Sequence, residues 1–201
     1  MARSRAKRKG RRAPNDEVAG ALILHDLPVQ PPDYLELKED ERRELEKSNL
    51  RSYELLKSVG LHLGGNVLVV PRQLVKEAER VIREVRREYK RFPQPVLTPK
   101  LVLITLTPEQ MIRVVVDFVI RDVMAQLEYT TERVRGAVIK ARNIKARKTA
   151  DEGELQKLKK DALVLMEDWR SRYRIAKMFG VDLDEQAQEL EELAGLVLSP
   201  F

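Results

Sequence analysis

Seven cations stand in the first twelve residues: Arg3, Arg5, Lys7, Arg8, Lys9, Arg11 and Arg12, with no acid among them. The chemistry open to such a cluster is neutralisation of a polyanion, because each phosphate met by a cation releases condensed counterions. The whole chain holds 38 Lys and Arg against 32 Asp and Glu, so without these seven 31 cations face 32 acids. The positive excess sits in one short stretch and the rest is balanced, an asymmetry that points to a polyanionic partner. Nucleic acid, double-stranded DNA first, is the expected partner. An anionic membrane surface and a Lys/Arg-rich nuclear address are the other readings of the same residues.

Two further cationic sets have helical spacing. Arg72, Lys76, Arg80, Arg83 and Arg87 recur at steps of four, four, three and four. They lie nearly opposite an apolar row of Leu74, Ala78, Val81, Ile82, Val85 and Tyr89 on a helix expected from Pro71 to about Lys90. Glu77, Glu84 and Glu88 fall toward the flank of that row, so it can track phosphates; a solvated helix face is the plainer alternative. The third set is Arg135, Lys140, Arg142 and Lys145, in a stretch (133–148) that carries seven cations and no acid. A helix C-terminus favours cations but needs far fewer.

Other chemistry is harder to find. The chain has no cysteine and only two histidines, His25 and His62, which are far apart in sequence. Each reads as a loop or partly buried histidine with no partner at ligand spacing. There is no phosphate-binding glycine loop, HExxH, GxSxG or metal-spaced acid cluster. The expectation is a non-enzyme with no cofactor, metal or small-molecule substrate. "RIAKMFGVDLDEQAQELEEL" has the Ala, Gly and apolar residue of a helix-turn-helix at Ala176, Gly180 and Val181. Its second helix offers Asp184, Glu185, Glu189, Glu191 and Glu192, which phosphate would repel.

The elements that would carry these residues are mostly helices. Residues 1–37 read as a basic, Pro-containing extended arm, interrupted at most by a turn or two of helix in "DEVAGALIL". Residues 38–201 read as an α-helical body. A first helix spans about 38–59, with Leu45, Tyr53, Leu56 and Val59 inward. "NVLVV" and "LVLITL" are short and β-branched, and together suggest a small two-stranded element. Thr107, Pro108 and Gln110 form a capping box that opens a long helix. That helix is expected to run to about Lys148, with an apolar first half central in the core and a kink at Thr130 and Thr131. With the helix carrying Leu155, Leu158, Ala162, Leu165, Trp169 and Tyr173 it forms an antiparallel hairpin, about 108–179. Trp169 reads as a packing anchor. An acidic helix at about 184–194 and an apolar tail, "LVLSPF", follow. The fold class is therefore mainly α: a helical bundle with a long antiparallel hairpin, an extended N-terminal arm and at most a minor β element. No run is long and apolar enough to span a bilayer, and none follows the arm as a secretory signal would require.

With 35% of its residues charged, the chain has a hyperthermophile's composition. On "MARSRAKRKGRRAPND", the cationic helices and that composition, it resembles the coat proteins of filamentous DNA viruses of hyperthermophilic archaea. Those are helical proteins with an N-terminal arm that pair and wrap A-form duplex DNA. The resemblance implies a major capsid protein that packages DNA without reading its sequence, bound to other copies of itself or a related coat subunit in a helical filament within the virion. It carries over no residue by position, and the extended segments around Pro31 and Pro95 depart from it. A cellular chromatin protein, a helix-turn-helix regulator and a helical small subunit of an RNA-guided complex are the alternatives. Their home would be cytoplasmic. Contact with a membrane stays open.

Overall fold

The computed structural model describes residues 18–94, 96–146 and 152–198. The arm cations, Pro95, residues 147–151 and residues 199–201 lie outside this set. Among the described residues the protein is mainly helical with one small antiparallel sheet. The strands are β1 (Gly20–His25), β2 (Leu61–His62), β3 (Val67–Pro71) and β4 (Leu101–Leu106), in the order β2-β3-β1-β4.

The central strand, β1, is the segment "GALILH", which by sequence alone falls in the arm and is open to helix. It pairs with β3 from Gly20↔Pro71 to Leu24↔Val67, and with β4 from Gly20↔Leu106 to His25↔Leu101. Alternation decides the matter: Ala21 and Ile23 are fully buried on one face, while Leu22 packs on the other. Gly20 matters because a Cβ there would lie 2.6 Å from the Val70 carbonyl oxygen and 2.0 Å from Met111 Cε. "NVLVV" and "LVLITL" are both strands, as expected, but do not pair with each other, since β1 lies between them.

Residues 26–37 are also part of the body rather than an arm. Leu27, Val29 and Leu37 are buried. Asn49 holds this stretch by accepting from the Val29 N–H and donating to the Val29 carbonyl, each at 2.9 Å. Tyr89 donates to the same Asn49 oxygen at 2.6 Å. These bonds satisfy an extended backbone that has no strand partner.

On one face of the sheet lie α1 (Glu39–Lys57) and α2 (Val75–Glu88), with a turn of tighter helix before and after α2. Leu45 and Leu56 of α1 meet Ala78, Val81, Ile82 and Val85 of α2 over Ile23, Leu68 and Val70. On the other face lie α3 (Pro108–Val114), α4 (Ile120–Lys145), α5 (Glu152–Lys177) and α6 (Asp184–Leu198). Their core holds Met111, Val119, Val123, Leu127, Trp169 and Leu190. The expected capping box is present: the Gln110 N–H donates to Thr107 Oγ1 at 3.4 Å and the Thr107 N–H to Gln110 Oε1 at 3.0 Å.

The long helix continues without a break through Thr130 and Thr131, where Thr131 bonds back to the Leu127 carbonyl at 2.8 Å. Its irregularity is a widened π turn at Val115–Val119. An apolar row at four-residue steps drifts by about 40° per step on a straight helix. The extra residue of the π turn takes up part of that drift, keeping Met111, Val119, Val123 and Leu127 inward. Nor is this apolar half central in the core. Ile112 is 63% exposed, Val116 and Phe118 each 54%, because only one side of the helix is covered.

Helices α4 and α5 form the expected antiparallel hairpin. Arg172 meets Asp122 at 3.6 Å near one end, and Lys159 lies beside Lys145 near the other. Trp169 is buried as expected, its ring stacked 5.1 Å from that of Tyr173. The chain reverses at Gly180, whose φ of +80° suits glycine. The Tyr173 hydroxyl then accepts the Leu183 N–H at 2.6 Å and donates to Asp184 at 2.9 Å. Residues 196–198 of the apolar tail are the last turn of α6, with Val197 buried and Leu196 half exposed. No helix among the described residues is long and apolar enough to cross a membrane.

Candidate nucleic-acid interface

The amphipathic pattern of α2 turns its apolar row onto the sheet and its cationic row outward. Beside it, α1 runs close enough for the side chains of the two helices to meet. The result is an open groove of about 900 Å³ lined by Arg51, Arg80, Arg83, Arg87, Lys90 and Arg91, with Glu84 and Glu88 as its two acids.

Both acids are engaged by neighbouring cations. Arg51 of α1 lies 3.8 Å from Glu84 and 3.8 Å from Glu88. Arg91 meets Glu88 at 2.9 Å and Glu44 at 3.5 Å, and donates to Ser48 Oγ at 2.6 Å. These bonds tie α1 to α2 across the groove. Arg80 pairs with Glu77 beside it. Arg83, Arg87 and Lys90 have no carboxylate partner within salt-bridge distance among the described residues, and all three are exposed. Cations left outward along one helix, with the neighbouring acids already paired, present a net positive strip. The groove lining contains no aromatic ring.

Of the predicted row, Arg80, Arg83 and Arg87 reach this groove. Lys76 is exposed and continues the stripe one turn earlier. Arg72 sits in the turn before α2 and lines a different depression, with Met111, Ile112, Val115 and Phe179. Arg51, Lys90 and Arg91 were not expected. Arg51 lies on another helix, which single-helix periodicity does not find, whereas Lys90 and Arg91 follow Arg87 at steps of three and four and extend the row into the tighter turn after α2. Arg86, one residue from Arg87, has a structural task instead: it donates to the Leu101 carbonyl at 2.7 Å and ties α2 to β4.

The second predicted row divides. Arg135 is taken up by Glu132 and by Glu189 of α6, so it braces α4 against α6. Lys140 lines a shallow depression with Lys157, but also with Glu154 and Asp161. Lys145 has its pKa lowered by burial and then by the neighbouring Lys159. Arg142 is exposed. α2 and α4 pack on opposite faces of the sheet, so the two rows belong to different sides of the molecule. Arg3, Arg5, Lys7, Arg8, Lys9, Arg11 and Arg12 lie outside the described residues.

The helix-turn-helix candidate spans α5 and α6. Ala187, Leu190, Ala194 and Val197 bury one side of α6, Glu189 pairs with Arg135, and Glu191 takes a two-pronged bond from Arg170 at 3.1 and 2.6 Å. The polar side chains that remain outward are Glu185 and Glu192 with Gln186 and Gln188, and α6 carries no Lys or Arg.

The two histidines are not isolated, contrary to expectation. Both are buried, with ring centroids 5.2 Å apart, edge to face, and Tyr53 stacks on His62 at 4.6 Å. His25 Nδ1 accepts the Leu27 N–H at 3.2 Å. Burial lowers both pKa values, that of His62 to about 4, helped by His25, Arg172 and Lys57. Strand pairing across the sheet brought them together, which sequence spacing does not reveal. No group of three or more metal-ligating side chains occurs among the described residues.

Three comparisons with known proteins were made, and no family model, no curated protein and no solved structure matches this chain.

Proposed function

We propose that this chain is a structural nucleoprotein that coats duplex nucleic acid, in many copies, by holding its backbone without reading its sequence. The observation that carries this reading is the α1–α2 groove. The two acids in its lining are paired, while Arg83, Arg87 and Lys90 stand outward without a carboxylate partner among the described residues. Cations of this kind meet phosphates, which position a protein on nucleic acid but carry no sequence information. A single-strand site relies on aromatic platforms for the bases, and the groove lining offers none. A major-groove reader needs a helix that phosphate tolerates as well as base-reading side chains, whereas α6 carries no cation and sets Glu185 and Glu192 beside its exposed Gln186 and Gln188. The basic arm adds charge to the same task. A coat subunit of a filamentous DNA virus, packaged in its virion, is the setting that the arm and the composition favour.

Fluorescence anisotropy at one salt concentration tests it, using two duplexes of unrelated sequence and one single strand. The reading expects the two duplexes to bind within about threefold of each other and the single strand more weakly. Preference for one duplex by about a thousandfold, the low end of specific recognition, would contradict it, as would preference for the single strand.

A further inference from the structure

The two edges of the sheet are unlike. On one side β2 is two residues long, and a very short edge strand is one of the ways proteins avoid edge-to-edge pairing. On the other side β4 spans six residues, "LVLITL", with no charge, no proline and an unbroken register against β1. Its outer edge has no strand partner among the described residues, though Arg86 already donates to one carbonyl of the strand, that of Leu101. The face beside that edge is open too. Val102 is 52% exposed and Ile104 41%, and Leu24, directly across from Val102, is 38% exposed. A long, uncharged edge next to an exposed apolar strip is a template for strand addition.

We propose that β4 pairs antiparallel with β4 of a second copy about a two-fold axis perpendicular to the sheet, joining two four-stranded sheets into one. The symmetry fixes the register to like parity, because directly opposed residues share a sheet face. Centring the axis on Leu103 sets Val102 opposite Ile104 of the second copy, and Ile104 opposite its Val102. The strip from Leu24 through Val102 and Ile104 then continues into its own image, apolar against apolar. Lys100, whose N–H is held by Asp26 Oδ1 at 2.7 Å, comes opposite Leu106 of the second copy.

The basic arm of this chain fits poorly as the occupant. Residues 1–17 carry the seven arm cations, which suit neither an uncharged edge nor an apolar strip. A junction of one short strand falls below the roughly 1,200–2,000 Å² of a stable interface. It therefore gains strength where nucleic acid concentrates many copies. The pairing rests on the multi-copy part of the proposed function. It is tested without nucleic acid, so its failure leaves the groove's role standing, and the reverse.

The absence of native cysteine makes engineered ones unique. The double variant Val102→Cys, Ile104→Cys, oxidised at high protein concentration, is expected to give a disulfide-linked dimer joined mainly between positions 102 and 104. Ile139→Cys, on the exposed side of α4, serves as the control and is expected to stay monomeric. Val102→Lys, Ile104→Lys should abolish self-association in sedimentation velocity while circular dichroism stays unchanged. A double-cysteine variant that links no better than the control would overturn the pairing, as would a folded lysine variant that associates like the unaltered chain. If the lysine variant fails to fold, the cysteine pair decides alone.

Discussion

Arg91 and Glu88 meet at 2.9 Å in the wall of the groove, and Arg51 lies 3.8 Å from the other oxygen of the same carboxylate. One acid thus shares in restraining two cations, with Glu84 also on Arg51 and Glu44 also on Arg91. Glu88→Gln should tighten duplex binding at low salt, since it removes one of the two carboxylates in the groove and leaves both guanidiniums less neutralised. It should also lower stability by about 1 kcal/mol, because charged hydrogen bonds at a half-buried site are weakened. Anisotropy across a salt series and a urea melt measure the two effects.

Removal of residues 1–12 tests the arm. Seven cations on B-form phosphates contribute a slope of about −6 to log K against log salt. The truncated chain should lose most of that slope and keep its circular dichroism and melting temperature, because the sheet begins only at Gly20. An unchanged slope would remove the arm from binding.

Asn49→Ala should destabilise the fold by about 2 kcal/mol or more. Its side chain satisfies the Val29 N–H, the Val29 carbonyl and the Tyr89 hydroxyl, and buried polar groups left without partners cost about 1–3 kcal/mol each. Chemical denaturation gives the number. A change within experimental error would mean that residues 26–37 are held by their apolar side chains alone.

The buried histidines set a pH dependence. His62 has a folded-state pKa of about 4, below its ordinary 6.5. Between these values the unfolded chain binds a proton that the folded chain does not, so stability falls as pH drops from about 6.5 to 4. His25 is lowered in the same direction, whereas burial raises Asp122 and acts in the opposite sense. His62→Phe should flatten the decline in that window without abolishing it. The comparison with the unaltered chain isolates this one group. Identical pH profiles would show that His62 titrates normally in the fold.

Local signals carried far in this chain. The Thr107–Gln110 box, the α2 stripes, the α4–α5 hairpin and the place of Trp169 all depend on spacing within one segment. What failed depends on distant partners. "GALILH" is too short for periodicity to separate strand from helix, and only β3 and β4 on either side make it the centre of a sheet. Ile112, Val116 and Phe118 read as core because they are apolar, yet no element among the described residues covers their side of the helix. In the site, Arg80, Arg83 and Arg87 were legible from α2 alone, while Arg51 enters from α1. Arg135 looked available until α6 supplied Glu189.

The central claim is that the outward cations of α2 hold the nucleic-acid backbone. The most direct measurement is the salt slope of duplex binding for Arg83→Ala, Arg87→Ala against the unaltered chain, on two unrelated sequences. The account predicts a slope shallower by about 2, one unit for each phosphate no longer neutralised. It also predicts an equal fall in affinity on both sequences, and a melting temperature little changed because exposed charges contribute little to stability. An unchanged slope, or a fall in affinity confined to one sequence, would contradict it.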